Sequence, residues 1–187
     1  MNDYCFDLNL PVAHPLSNLS ILKEKGAHPD IWFADPADVS KEFIDWLDSN
    51  GLTMTFPPLL FYTPPRRECG FHIDGAGICD RVVMNWIVQG NGSEMHWYAL
   101  APGAIITPGE TTQAGTPYTR YKEEDVVHLH SQPVRWPSIV QTGTPHKITN
   151  YCDEPRWCIS CDISLKSAPE AGLTMQQAKE IFQQWIA

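Results

Sequence analysis

His72 and Asp74 are separated by one residue in the stretch "GFHID" (70 to 74), which has glycines on both sides. In a β-strand, alternate side chains point to the same face, so this spacing brings an imidazole and a carboxylate to one side. Two imidazoles and one carboxylate are a typical ligand set for divalent iron, and they leave coordination positions open. The pair therefore predicts a metal site that needs one more histidine.

His146 is the sharpest candidate for that third ligand. It follows a Gly-Thr-Pro turn in "GTPHKITN" (143 to 150), 72 residues after Asp74, and opens a short predicted strand. A histidine this far along the chain reaches the first pair only if its strand returns to the same site. The alternative is that each histidine is a surface residue or a hydrogen-bonded residue of the core.

Arg156 comes ten residues after His146 and opens the predicted strand "RWCISCDI" (156 to 163). Alternation along that strand places Arg156, Cys158 and Ser160 on one face. A buried guanidinium needs an anion, and its planar fork suits a carboxylate. The alternative is an exposed ion pair at the strand edge with Asp153 or Glu154.

The residues with possible chemistry lie on short predicted strands that are separated by Gly, Pro, Asn and Asp turns, a pattern typical of an all-β sandwich or barrel. Asn91-Gly92 predicts a hairpin turn between the third strand and the fourth. The predicted strands are 59–63, 70–74, 81–88, 94–100, 125–130, 138–143, 146–150 and 156–163.

Two amphipathic helices flank these strands. The first is predicted at about 39–50, with Asp38 or Ser40 as N-cap and Gly51 as terminator. The second is predicted at about 174–186, where Thr174 and Gln177 form a capping box. Their aromatic residues are expected to pack in the core.

The composition favours one domain over residues 1–187, with a core at about 59–163. A length of 187 residues and a hydrophobic content of 43% suffice for one sizeable core. A formal net charge of −9 argues against nucleic acid and anionic membranes as partners, so we expect a small-molecule or peptidyl substrate. The sequence has neither a secretion signal nor a long apolar stretch, which predicts a cytoplasmic protein with six free thiols.

The order His-x-Asp, a later His in a "PH-x-hydrophobic-x-N" context and an Arg ten residues further on resembles the Fe(II)- and 2-oxoglutarate-dependent oxygenases. The resemblance covers about residues 59 to 163 and implies a double-stranded β-helix of the jelly-roll or cupin-like kind. It implies that His72, Asp74 and His146 hold Fe(II), and that Arg156 binds the distal carboxylate of 2-oxoglutarate. The implied reaction uses O2, releases succinate and CO2, and hydroxylates a C–H bond of an amino acid, a peptidyl side chain or a small metabolite.

Three further residues are candidate contacts to 2-oxoglutarate. The family often has Ser or Thr two residues beyond the arginine, whereas this chain has Cys158, so Ser160 on the same face is the expected substitute. Asn85 is polar within the apolar run "RVVMNWIV" and is either a co-substrate contact or a hydrogen-bonding core residue. Tyr62 either donates its hydroxyl to a carboxylate or packs near a strand end.

The segment 101–125 is too long for a minimal connection and is rich in Gly, Pro and Thr. It is either a lid that selects the substrate or a plain surface loop. As a lid, it would present Tyr118, Arg120 and Tyr121 to an anionic or polar substrate.

Two other functions fit parts of the pattern. A cupin-type metal protein would use His128, His130 and His146 without 2-oxoglutarate, although only fifteen residues separate His130 from His146. A non-enzymatic β-sandwich binding module would leave the histidines without a metal.

Overall fold

The computed structural model describes residues 2–25, 31–90, 92–105, 109–135 and 137–187. Strands dominate the described residues, and most are shorter than six residues. They are β1 (Cys5–Asp7), β2 (Ile31–Phe33), β3 (Leu52–Met54), β4 (Leu59–Thr63), β5 (Arg67–Glu68), β6 (His72–Asp74), β7 (Val82–Gln89), β8 (Ser93–Leu100), β9 (Glu110–Thr111), β10 (Pro117–Arg120), β11 (Val126–Pro133), β12 (Ser138–Gln141), β13 (His146–Asn150), β14 (Arg156–Cys161) and β15 (Ile163–Leu165).

Two antiparallel sheets form the body of the fold. The first sheet has the order β1-β12-β7-β14-β4-β2, and the second has the order β11-β8-β13-β6-β10-β9, with β5 paired to β13. Between β4 and β14 the chain passes repeatedly from one sheet to the other, which is the arrangement of a jelly roll. The prediction of a mainly β fold with a double-stranded β-helix core is confirmed.

Alternation along the strands of the first sheet divides the apolar residues between two cores. On β7, Val83 and Ile87 point toward the second sheet, where they pack with Trp97 of β8. Met84 and Trp86 of β7 point the other way, into a larger core beneath the helices. Only alternate residues of these strands therefore point into the space between the sheets. Most of them are apolar, so a polar residue in this set is unusual.

Three α-helices accompany the sheets: α1 (Ser20–Lys25), α2 (Lys41–Ser49) and α3 (Met175–Ile181). Ser40 is the N-cap of α2, because its hydroxyl accepts from the amide of Phe43, and the ring of Phe43 packs edge-on against Trp86 with centroids 5.3 Å apart. No helix among these described elements has the length and apolar character that a bilayer span requires.

The predicted second helix is two elements. Thr174 and Gln177 form the expected capping box at the start of α3. The helix ends at Ile181, and a 3₁₀ turn (Gln183–Trp185) follows it. Two other 3₁₀ turns lie at Pro36–Asp38 and Glu123–Asp125.

The hairpin predicted at Asn91-Gly92 is wrong. β7 belongs to the first sheet and β8 to the second, so the connection between them crosses from one sheet to the other. Asn91 itself lies outside the described residues. The sequences of β7 and β8 are both largely apolar and therefore look like the two strands of a hairpin. A turn signal carries no information about which sheet the next strand joins.

The sequence pattern also missed the shortest elements, which have too few residues for a period to be visible. These are α1 and the strands β1, β2, β3, β5, β9, β10 and β15. Two of them, β9 and β10, lie in the segment 101–125, so that segment is partly a strand pair at the edge of the second sheet. Residues 106–108 of the segment lie outside the described residues.

All six cysteines are free, as the sequence predicted. Cys158 packs in the core between the sheets, and Cys161 packs in the core beneath the helices. Their side chains therefore point to opposite faces of β14, which excludes a disulfide between them in this arrangement.

Gly90 allows β7 to end directly beside Arg156. Its φ is +82°, and a Cβ placed on it would lie 2.8 Å from both the Cα and the Cβ of Arg156. Gly103 has nearly the same φ, +83°, but a Cβ there would meet nothing within 4 Å. Gly90→Ala should lower the free energy of unfolding by about 1–3 kcal/mol more than Gly103→Ala, since only the first adds a steric clash to the backbone strain. Chemical denaturation of both variants measures the difference, and equal losses would contradict the close packing.

Candidate metal centre

His72, Asp74 and His146 converge at one place in the second sheet. Each offers one ligand atom, and the three atoms lie within 4.8 Å of one another. His72 Nε2 is 3.8 Å from Asp74 Oδ1, and the centroids of the two imidazole rings are 4.4 Å apart. The set consists of two imidazoles and one carboxylate, as the spacing in the sequence predicted.

Strand pairing accounts for this convergence. β13 lies next to β6, and His146 is the residue directly opposite His72. Asp74 shares a face with His72 because the two are separated by one residue in β6. Gly75 has a φ of +108°, so the chain turns away immediately after Asp74.

Backbone carbonyls fix the orientation of both rings. The Nδ1 atom of His72 is 2.7 Å from the carbonyl oxygen of Gly70, and that of His146 is 2.9 Å from the carbonyl oxygen of Thr144. A carbonyl oxygen can only accept, so both Nδ1 atoms carry a proton, and in a neutral imidazole of this tautomer the lone pair is on Nε2. This is the usual support of a metal-binding histidine by its other nitrogen.

His146 is held in the neutral form that a metal ligand requires. It is 2% exposed, and burial, together with His72, lowers its pKa from 6.5 to about 4, although Asp74 opposes the shift. Loss of solvent is the largest cause, because burial penalises the charged imidazole. Above pH 5 the Nε2 lone pair of His146 is therefore available.

Arg156 lies between the two sheets with most of its hydrogen-bonding capacity unused. It is 1% exposed, and its Nε donates to the hydroxyl of Ser93 across the core at 3.1 Å. Both terminal nitrogens are buried and have no hydrogen-bond partner. No carboxylate of the described residues forms an ion pair with it, so the predicted alternative of a pair with Asp153 does not occur; Asp153 instead binds Arg66.

The Cys158 thiol lies in the core between the sheets, where Arg156 can donate a weak hydrogen bond to it. Burial raises the pKa of Cys158; nearby Arg156 lowers it and Asp74 raises it. The guanidinium and the carboxylate therefore both act on this one buried thiol. A thiol is a weak acceptor and does not replace a carboxylate as partner for a guanidinium.

Asn85 and Ser160 lie where an interior ligand could meet them. They are paired with each other across β7 and β14, and both belong to the inward set of residues. Asn85 is 5% exposed, and its Oδ1 has no hydrogen-bond partner. Ser160 lines the cleft that also exposes His72 and Asp74.

Tyr62 does not agree with its predicted role. It packs against the core beneath the helices, with its ring 4.8 Å from that of Trp157 in an edge-on contact. Its neighbour Phe61 is the residue of β4 that points into the space between the sheets. The sequence does not show which residues of a short strand face inward, and for Tyr62 the structure agrees with the alternative of a packed side chain.

The ligand set His128, His130 and His146 is not brought together. A β-bulge between His128 and His130 places the first opposite Tyr98 and the second opposite Trp97, so the two imidazoles lie on different faces of β11. His128 bonds the hydroxyl of Ser131, and His130 stacks on Tyr4. Because Leu129 is an extra residue in the bulge, His128 and His130 do not share a face as the sequence predicted.

A cleft of about 1070 Å³ leads from the surface to His72 and Asp74. One wall comes from the β2 edge of the first sheet and is apolar, with Phe33 and Phe56. The opposite wall comes from β9 and β10 of the second sheet and is polar. His146 and Arg156 are buried and are not among the residues that line the cleft.

Several lining residues were not singled out by the sequence. Arg81 and Asp162 form an ion pair at the cleft, and Asp162 Oδ1 is buried without a partner. Asp162 could have been found, because it lies two residues beyond Ser160 on the same face. Ser93, the partner of Arg156, has no signal in the sequence, since it depends on the crossing of β7 and β8 into different sheets.

No protein-family model and no curated protein matches this chain. Among solved structures, the oxalate decarboxylase of Bacillus subtilis at pH 4.6 is similar with 14% identity and a TM-score of 0.33, over 72% of this chain and 25% of that chain. A structure of the same enzyme concerned with its Mn(II) centres gives 14% identity and a TM-score of 0.33, over 77% of this chain and 27% of that one. The chain thus spans about a quarter of these proteins, and at this level the likeness assigns it neither a metal nor an activity.

Burial of neutral His146 should make the stability of the metal-free protein depend on pH. As pH falls from 6.5 to about 4, the unfolded chain takes up a proton that buried His146 does not, so folding is disfavoured over that window. The free energy of unfolding therefore decreases as pH falls below 6.5, and the total loss is about 3 kcal/mol once pH reaches 4. Denaturant unfolding in EDTA measures the free energy of unfolding at each pH. Wild type should lose more of it between pH 6.5 and pH 4 than His146→Gln does. Parallel pH curves would contradict it.

Proposed function

We propose that this protein is a non-haem Fe(II)- and 2-oxoglutarate-dependent dioxygenase that hydroxylates a C–H bond and releases succinate and CO2. The observation that carries the proposal is the guanidinium of Arg156, which is buried between the sheets with two unpartnered nitrogens, in the same interior as the three candidate ligands. A buried cation of this kind indicates an anion that binds there.

The donor set fits divalent iron. Two imidazole nitrogens and one carboxylate oxygen are the ligands of open non-haem iron sites, whereas four sulfur or nitrogen ligands would indicate structural zinc. His72, Asp74 and His146 would hold the metal, and the carbonyls of Gly70 and Thr144 would hold the two rings in place. The remaining positions would face the cleft, which His72 and Asp74 line.

The interior also fits a dicarboxylate that carries a keto group. Such a co-substrate has one end that can bind a metal and another that needs a cation, and Arg156 offers two parallel N–H donors for a carboxylate. Ser160, four residues along β14 from Arg156, and the amide of its partner Asn85 on β7 lie on the same inward face and would accept or donate the remaining hydrogen bonds. When bound, iron and 2-oxoglutarate would supply the activation of O2.

The residues of the chain would position the reactants and limit the access of water. Trp97 and Ile87 close the interior between the sheets and are fully buried. Residues of β2 and β10 line the cleft together with His72 and Asp74, so a substrate in the cleft would meet the metal there. Positioning of this type is the usual contribution of a protein to cofactor chemistry.

A jelly-roll metal protein that does not use 2-oxoglutarate is the competing function. It would need a different anion for Arg156, because a buried unpaired charge is costly. It would also share every metal-binding result, so the two functions differ in whether 2-oxoglutarate binds.

The metal site can be tested by anaerobic reconstitution with Fe(II). Addition of 2-oxoglutarate should produce a weak visible charge-transfer band, because the keto acid would bind the metal directly. His72→Ala and Asp74→Ala should abolish the band, whereas His128→Ala, which removes an exposed histidine outside the group, should keep it. A band that is unchanged in both ligand variants would contradict the site.

Arg156 can be tested separately by its opposite effects on binding and stability. Arg156→Met should weaken 2-oxoglutarate binding by about 100-fold, since a charge-assisted contact is lost. The same variant without metal or co-substrate should be at least as stable as wild type, because it removes a buried charge that has no partner. Calorimetric titration and denaturant unfolding measure the two effects, with Arg66→Met as the exposed control. Undiminished 2-oxoglutarate binding would exclude the role given to Arg156.

A screen for succinate release against amino acids, peptides and small metabolites would identify the substrate. The screen requires a protein that has passed the two binding tests above. A protein that binds Fe(II) but never 2-oxoglutarate would favour the competing function.

A further inference from the structure

Two side chains of β10 lie directly beside the candidate metal ligands. β10 pairs antiparallel with β6, so Tyr118 is opposite Asp74 and Arg120 is opposite His72. Directly opposite residues of an antiparallel pair share a face, with Cβ atoms about 5 Å apart. Tyr118 and Arg120 therefore project from the face that presents the ligands, and both line the cleft.

Most N–H donors of Arg120 have no hydrogen-bond acceptor among the described residues. Its side chain is 63% exposed, and its nearest carboxylate oxygen, Glu110 Oε2, is 3.7 Å from its Nε. That oxygen already accepts a 2.6 Å hydrogen bond from the hydroxyl of Tyr118. The guanidinium lies 5.2 Å from the centroid of the Tyr118 ring. The hydrogen bond to Glu110 is the main cause that raises the pKa of Tyr118, and a side-chain hydrogen bond with Arg120 acts to lower it.

Arg81, the other arginine that lines the cleft, is differently placed. Its guanidinium is bound to Asp162, whose side chain is only 13% exposed. An incoming anion would have to compete with that carboxylate. Of the two arginines, Arg120 is the one that can bind an anion without displacing a hydrogen-bonded carboxylate.

The facing wall of the cleft is apolar. Phe33 and Phe56 lie with ring centroids 6.3 Å apart, and Ile31, Leu59 and Phe61 extend the same wall. Phe56 is 52% exposed, which is a large apolar area to leave in water. An aromatic surface of this kind beside a charged group is typical of a pocket for a ligand with one apolar part and one polar part.

We propose that the primary substrate is a small carboxylic acid with an apolar body, whose carboxylate binds Arg120 beside the metal and whose body packs against Phe33 and Phe56. The identity of the reaction in this inference rests on the proposed function. The binding of the acid at Arg120 does not depend on that function. A substrate placed in this way would present to the metal the carbons that lie between its carboxylate and its apolar end.

Matched probes test this. 3-Phenylpropanoate and its neutral amide, 3-phenylpropanamide, have the same apolar body and differ in charge. Each is titrated calorimetrically, without oxygen, into protein saturated with Mn(II) and 2-oxoglutarate, so that Arg156 is already occupied. Relaxation of the probe protons by Mn(II), followed by NMR, reports whether the probe lies near the metal.

Wild type should bind the acid at least about tenfold more tightly than the amide, the preference expected for a charge-assisted pair. Arg120→Gln should bring the two affinities together, whereas Arg66→Gln should leave the preference intact. Arg66 is a matched control, because its side chain is also 63% exposed and also lies beside a carboxylate. Phe56→Ala should weaken both probes alike and keep their ratio.

Three results would overturn the proposal: no preference for the acid in wild type, a preference that survives Arg120→Gln, or the absence of relaxation by Mn(II) from a bound probe. If the metal or 2-oxoglutarate fails to bind, the proposed function fails first, and the titration is repeated with metal-free Arg156→Met protein. A preference for the acid that still depends on Arg120 would then support the carboxylate site alone. Its absence there would reject this site as well.

Discussion

The guanidinium of Arg156 is enclosed between two sheets and makes one hydrogen bond to a side chain, that of Ser93. A charge in such a position is normally compensated by a carboxylate of the same chain, because its desolvation is costly. Here the described residues supply none. Gly90 packs closely against the Cα and Cβ of Arg156, and this contact fixes the position of the Arg156 side chain at its base. The interior thus contains a guanidinium without a carboxylate partner among the described residues, and the candidate metal ligands lie in the same interior.

The pairing of strands distributes the chemistry over the two sheets. The second sheet carries His72, Asp74 and His146, which the pairing of β6 with β13 brings together. The first sheet carries Arg156, Asn85 and Ser160 on β14 and β7, facing inward. A small molecule between the sheets would meet the metal on one side and the arginine on the other. The jelly roll supplies this juxtaposition because its consecutive strands change sheets.

Much of this arrangement could be predicted from sequence, for identifiable reasons. His72 and Asp74 depend only on the two-residue period of a strand, which the structure obeys. The convergence of His146 required a long-range pairing that no local pattern contains; its turn and strand context made it a candidate, and the resemblance to a family supported that choice. Tyr62 was misplaced because β4 is apolar on both faces, so alternation did not reveal which face points inward.

The remaining errors have the same origin. A bulge at Leu129 separates His128 from His130, and bulges leave little signal in a single sequence. β10 is only four residues long, so the positions of Tyr118 and Arg120 beside the ligands came from its pairing register and not from its sequence. Residues that depend on strand period were predictable, whereas residues that depend on strand partners were not.

A structure determined from crystals grown without oxygen, in the presence of Mn(II) and 2-oxoglutarate, tests the central claim most directly. It should contain one metal ion bound by His72, Asp74 and His146, with 2-oxoglutarate on that ion and its far carboxylate on the terminal nitrogens of Arg156. An ion held by other residues, or Arg156 still without an anion while 2-oxoglutarate is bound elsewhere, would contradict it.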